Sequence, residues 1–167
     1  SVVSVFQGQP RQGAFTYMRD KGRKILHNGM ESFLEDQGAV DEGYANSSVR
    51  LSPVQLLGNI HRMQRANDIP ESEKLCAGMG ACQLDIEMET GTGKTYVYTK
   101  TMFELNRAYG WTKFIIVVPS IAIREGVRKS LQSTEQHFFE EYGKKIDFFV
   151  YDSGNLTELD RYSESPD

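Results

Sequence analysis

The sequence predicts an α/β fold: a three-layer sandwich with a parallel central sheet and helices on both faces. Two observations predict it. Apolar periodicity alternates between strand and helix from residue 83 to 152, in the order β-α-β-α-β. A glycine-rich turn, Gly91-Thr92-Gly93-Lys94-Thr95, sits at the first strand-to-helix junction, where a phosphate-binding loop belongs.

The elements follow in chain order. Val2, Val3 and Phe6 share one helical face, and Gly8-Gln9-Pro10 stops that helix. Residues 14–26 alternate loosely around Lys21-Gly22 and predict a hairpin or strand pair. Residues 35–50 are polar and rich in turn formers, which predicts a loop. Ser52-Pro53-Val54-Gln55 is a strong helix start: a capping serine, a proline at the first helical position and a glutamine that completes a capping box. Leu56, Leu57, Ile60 and Met63 then share a face, and Asn67-Asp68-Ile69-Pro70 ends the helix. A second loop covers 71–82.

The regular part begins with a strand at 83–88. A helix at 94–109 ends on Gly110, where a C-terminal cap belongs. The run 113–118, KFIIVV, is almost wholly apolar, as a buried parallel strand should be. A helix at 121–142 turns Ile123, Val127, Leu131 and Phe138 inward and ends at Gly143. The run 146–151, IDFFVY, is the last strand.

Composition bounds the function. The chain has 167 residues, 25% of them charged, with a net charge of −4. That argues against a broadly basic nucleic-acid coat, so any contact with a polyanion is local. No apolar run approaches the ~20 residues of a membrane span. Cys76 and Cys82 do not form a C-x-x-C pair and read as free thiols of a reducing, cytoplasmic compartment, with a disulfide as the alternative. His27, His61 and His137 are scattered and read as ordinary histidines rather than a zinc site. The chain starts without methionine inside an apolar pattern and ends on the polar Ser163–Asp167, as a piece of a longer chain would.

The glycine loop carries the chemistry. Gly91 and Gly93 let backbone amides approach a triphosphate closely. The helix that follows points its free amides and positive end at the same place. Lys94 would reach the β- and γ-phosphates, and the Thr95 hydroxyl would ligate Mg²⁺. Thr92 completes the loop backbone, while Glu89 is an odd neighbour for a phosphate and either points away or contacts an Arg or Lys elsewhere. Met88 stands where the pattern has its first glycine. A second acid is harder to find. Phe148-Phe149-Val150-Tyr151-Asp152 has the shape of an Mg²⁺-binding strand end, but Ser153 follows where a glutamate is expected, so Asp152 reads as a turn former. Tyr96 and Tyr98 follow on the helix, and no role is read for either.

Met88-Glu89-Thr90-GTGKT-Tyr96-Val97-Tyr98, together with the run from Phe103 to Leu131 (FELNRAYGWTKFIIVVPSIAIREGVRKSL), closely resembles the Res subunit of type III restriction-modification enzymes. VFQGQP at 5–10 and FFVYDS at 148–153 are similar to that family too. The resemblance covers most of 84–153, more loosely 1–10, and carries no role onto 11–80. It implies a superfamily two helicase motor with a RecA-like, P-loop NTPase fold. Residues 1–167 would then be part of one ATP-binding domain, with 83–152 as its core and 11–80 as an irregular insertion. It also implies ATP and Mg²⁺ as cofactors, double-stranded DNA as substrate, and a modification (Mod) methyltransferase subunit as partner.

By the same resemblance Glu89–Thr95 is the nucleotide motif, with Lys94 its catalytic residue. Val118–Val127 is the segment that touches the DNA backbone, through Pro119, Ser120 and Arg124. A helix start at Ser120 agrees with that, since its amides can hold a phosphate. The family's adenine-reading glutamine, acidic metal motif, second motor lobe and nuclease would lie outside this piece. The piece alone is then expected neither to hydrolyse ATP at a useful rate nor to cut DNA. The basic run Arg19–Lys24 reads as a solvated turn in preference to a hairpin tip that touches DNA. Three rivals share parts of the pattern: a superfamily two helicase without nuclease, a small P-loop phosphotransferase, and a DNA-binding module with a degenerate loop. The intact Lys94-Thr95 pair argues against the last.

Overall fold

The computed structural model describes residues 2–11, 15–18, 26–27, 30–31, 42–76, 78, 80, 82–154 and 157–166. Helix α1 (Val2–Val5) leads into a turn closed at Gly8, whose φ is 97°. Strand β1 (Phe15–Met18) pairs antiparallel with β4 (Glu42–Ala45), Phe15 opposite Ala45. Strand β2 (Leu26–His27) pairs with β3 (Met30–Glu31). Four longer elements follow this order: α2 (Pro53–Arg65), α3 (Lys94–Tyr109), α4 (Ile121–Tyr142) and α5 (Thr157–Glu164).

The long helices begin and end where the sequence predicts, because their ends are chemically local. Ser52 accepts from the Gln55 amide while the Gln55 side chain accepts from the Ser52 amide, a complete capping box. Gly110 and Gly143 adopt left-handed φ values of 78° and 67° and send their amides back to Asn106 and Phe139.

Other expectations change. Strand β1 is where a strand is expected, but its partner is β4, inside the stretch expected to be a loop. The expected turn at Lys21-Gly22 and the basic run Arg19–Lys24 lie outside the described residues. Helix α5 is not expected from the sequence, since Leu159 and Tyr162 are its only apolar residues. It is held from outside instead. Arg161 pairs with Asp147 at 2.6 Å, and the Tyr162 ring lies 6.0 Å from Phe149 with Lys113 over it.

The expected parallel strands are the main departure. Among the described residues, 83–88, 113–118 and 146–151 form no ladder with one another. Gln83 bridges Cys76 instead. The run 113–118 keeps a strand's alternation: Ile115 and Val117 are 82% and 88% exposed, with Ile116 between them far less so. A ladder needs a neighbouring strand, and a strand's own residues cannot supply one. Ile123, expected inward, is exposed at the start of α4.

Two apolar clusters hold the molecule. Leu105, Tyr109 and Trp111 pack with Val3, Phe6, Val49 and Phe114. Phe6 meets Trp111 edge-on at 5.1 Å, and the Tyr109 hydroxyl donates to the Val3 carbonyl at 2.8 Å. The chain's first segment is thereby pinned to α3. The second cluster lies between α3 and α4. Phe138 is 2% exposed and stacks on Phe103 at 5.0 Å, and Phe103 stacks on Tyr142 at 4.8 Å. Polar anchors tie the remainder. Asn59 donates to the Val5 and Gln7 carbonyls, and Asn46 grips Thr112 and Lys113 through three bonds.

Candidate functional site

Three helix starts can be compared directly. Ser52 caps α2 and Ser120 caps α4, each with its hydroxyl accepting an amide. Helix α3 has no side-chain cap. Its N-cap is Gly93, in the left-handed region at φ 80° and ψ 34°. Only a glycine takes that conformation without strain. Gly91 repeats it at φ 82°. The Val97 amide closes the first turn on the Gly93 carbonyl at 3.0 Å. The amides of Lys94, Thr95 and Tyr96 have no acceptor within the helix and carry its positive end.

The loop folds onto one carbonyl. The Glu89 carbonyl accepts from the Thr92 amide at 3.4 Å, from the Thr92 hydroxyl at 2.7 Å and from the Lys94 ammonium. Lys94 is thus bent back over the loop that precedes it rather than extended into solvent. Glu89 through Lys94 are all exposed, and Thr95 is half-buried. Glu89 contributes its backbone to the loop's closure. The arrangement therefore presents a cation and a row of amide donors on one open surface, which is what a polyphosphate requires.

The segment Pro119–Arg124 forms a second helix start. Ser120 is extended at φ −151° and ψ 158°. Its hydroxyl accepts from the Ile123 amide at 3.3 Å, and its carbonyl accepts from the Arg124 amide at 3.0 Å. Pro119 and Ser120 are exposed. The Arg124 Nε lies 3.4 Å from a Glu125 carboxylate oxygen but out of line for a hydrogen bond. The same carboxylate receives Arg128 at 3.1 Å. Glu125 is therefore shared by two guanidinium groups and neutralises neither fully. No hydrogen bond or ion pair among the described residues links 89–95 to 119–124.

A cleft of about 890 Å³ lies elsewhere, between 114–118 and 146–151, with Arg124 and Val127 on its wall. None of residues 89–95 lines it. Asp152 uses its Oδ1 to accept the Gly154 amide at 2.9 Å, the geometry of a turn-forming aspartate. No group of three or more His, Cys, Asp or Glu side chains among the described residues could hold a metal ion. The Thr95 hydroxyl is the loop group that could hold a divalent cation.

Sequence reasoning missed the polar ladder that joins α3 to α4. Tyr96 and His137 are hydrogen-bonded at 2.9 Å, and Lys100 donates to Glu141 at 2.6 Å. The Tyr142 hydroxyl donates to Glu104 at 2.7 Å, and Arg107 pairs with the same carboxylate. The hydrogen bond to Glu141 raises the Lys100 ammonium, and the same bond lowers the Glu141 carboxyl. Burial, then the Glu104 carboxylate, pushes the Tyr142 phenol upward. These residues occur every three or four positions on α3, a spacing that marks one helix face. Their partners lie some forty residues away, where no local pattern points.

Comparison with known proteins gives consistent matches. The family model described as "Type III restriction enzyme, res subunit" matches residues 59–159. The EcoPI Res subunit of Escherichia phage P1 is 41% identical over 110 residues, 65% of this chain and 11% of that protein. The EcoP15I Res subunit of Escherichia coli is 39% identical over 111 residues, again 65% and 11%. The StyLTI Res subunit of Salmonella typhimurium is 54% identical over 61 residues, 35% of this chain and 6% of that protein. The chain spans about a tenth of the length of the curated relatives it matches.

Proposed function

The chain belongs to the family of type III restriction enzyme Res subunits, and from that membership we propose that it is the ATP-binding portion of a DNA-translocating motor coupled to DNA cleavage. The proposal extends to the fold, a RecA-like three-layer sandwich around a parallel sheet, with 83–152 as its core. In this reading Lys94 and the amides from Gly91 to Thr95 hold the β- and γ-phosphates of ATP. The Thr95 hydroxyl would help hold the Mg²⁺ that accompanies the nucleotide, an ion that would offset the phosphate charge. Thr90 and Glu89 shape the entry to the loop. Pro119, Ser120 and Arg124 meet a backbone phosphate of double-stranded DNA, and a Mod methyltransferase subunit reads the site.

One observation carries the reading: an otherwise uncapped helix start, reached through two left-handed glycines, with Lys94 folded over it. Binding would move the Lys94 ammonium from the Glu89 carbonyl to the phosphates. The exchange replaces a bond to a neutral oxygen with bonds to anionic ones, and charge-assisted bonds are worth about 1.5–3 kcal/mol each. Calorimetric titration with Mg-ATP tests it. The wild-type chain is expected to bind and Lys94→Ala to lose binding by tenfold to a hundredfold or more. Equal binding by the two proteins refutes the assignment. DNA cleavage by the full-length protein with its Mod partner tests the wider reading, and ATP-driven movement on DNA without cleavage would point to a helicase lacking a nuclease.

A further inference from the structure

We propose that Tyr96 is a positioning residue for the nucleotide loop, and that its hydrogen bond to His137 fixes the first turn of α3, with Lys94 and Thr95, against α4. The inference rests on the phosphate-loop reading above and goes beyond it, because neither residue belongs to the nucleotide motif.

The first turn of α3 has little else to hold it. It lacks a side-chain cap, and Lys94 turns back to its own loop. Tyr96 and Val97 are 37% and 40% exposed, Thr95 and Tyr98 are half-buried, and the first fully buried side chain on the helix is Thr99. A helix start of this kind frays unless something outside it supplies an anchor. Tyr96 supplies three contacts. Its ring stacks on buried Phe138 at 5.1 Å with 28° between planes. The same ring lies tilted over His137 at 5.6 Å. Its hydroxyl is 2.9 Å from His137 Nε2.

His137 is itself held. Its Nε2 lies 3.7 Å from Glu141, whose other oxygen takes the Lys100 ammonium. Its ring meets Phe138 edge-on at 5.2 Å. The pairs Tyr96–His137, Lys100–Glu141 and Glu104–Tyr142 climb both helices in the same sense, so α3 and α4 run side by side in one direction. Tyr96 is the lowest rung, one residue beyond Thr95. Loosening it frees the turn whose amides and lysine must meet the phosphates together. Loosening a higher rung leaves that turn in place.

The test separates position from mere stability. Wild type, Tyr96→Phe, His137→Gln and His137→Leu are titrated with Mg-ATP and melted without nucleotide, with Lys94→Ala as reference. Tyr96→Phe keeps the stack and removes one hydrogen bond, so melting should hold within a few degrees. Its Kd for Mg-ATP should rise about threefold to tenfold, the range one hydrogen bond commands. His137→Leu should match it, and His137→Gln, which can still bond the phenol, should bind near wild type. Unchanged Kd in Tyr96→Phe and His137→Leu, whatever their melting, overturns the proposal. So does His137→Gln behaving like His137→Leu. Lys94→Ala binding as well as wild type, or a wild type that does not bind, overturns the phosphate-loop reading and the tie with it. Loss in Lys94→Ala alone overturns only the tie.

Discussion

Replacing Gly93 with alanine separates the cost of folding the loop from the cost of using it. Gly93 sits at φ 80°, and a Cβ added there meets nothing within 4 Å. The folding penalty is therefore conformational alone. Left-handed geometry costs an L-residue about 1–2 kcal/mol. The stiffer unfolded chain returns about 0.4–1 kcal/mol of that. The net is on the order of 1 kcal/mol, a drop in melting temperature of roughly 2–4 °C for a chain of this size. Binding should suffer more. Phosphate oxygens must come within about 3 Å of the loop amides, and a methyl group on that open surface stands in their way. A loss of more than tenfold in Mg-ATP affinity, about 1.4 kcal/mol or more, is expected by calorimetry. Gly143→Ala is the control. It has φ 67° and equally open surroundings, but it ends α4 rather than opening α3. It should melt like Gly93→Ala and bind like wild type. Equal affinity in all three proteins refutes the claim that phosphates approach Gly93.

Three other outcomes follow from the packing and the caps. Phe138→Ala removes the side chain at the centre of the α3–α4 stack and should destabilise by about 3–5 kcal/mol in urea unfolding. Ser52→Ala removes the hydroxyl half of the α2 capping box, leaves the Ser52 amide still donating to Gln55, and should cost about 0.5–2 kcal/mol in the same assay. Burial pushes the Cys82 thiol up, which lowers its thiolate fraction at neutral pH, while Cys76 is exposed. Mass spectrometry after brief iodoacetamide treatment near pH 7 should find Cys76 alkylated first, with Cys82 gaining rate as pH rises toward 9.

Helices were legible because their signals are local. Ser52, Pro53 and Gln55 specify one end of α2 within four residues, and Gly110 and Gly143 specify the ends of α3 and α4 by themselves. Strands depend on what lies beside them. The run 113–118 has a strand's composition and alternation, yet composition does not supply the neighbouring ladder. Strand β4 shows the converse. Glu42-Gly43-Tyr44-Ala45 is too polar and too short to announce itself, and it pairs because β1 offers it an edge. Helix α5 has only Leu159 and Tyr162 as apolar residues, too short a stripe to read from sequence, and Arg161 and Tyr162 hold it to Asp147 and Phe149.

The site divides along the same line. Lys94 and the two glycines form a contiguous motif, so a reader of the sequence finds them, and both glycines take left-handed φ values. The carbonyl of Glu89 gathers three donors, a role that belongs to the backbone and leaves no mark in residue type. His137 reads as one of three scattered histidines until folding sets it against Tyr96. A motif can therefore state which atoms meet a ligand, but the groups that hold those atoms still come from distant turns of other helices. If the loop holds a nucleotide as proposed, the residues that set how firmly it does so are to be sought on α4 as much as in the loop.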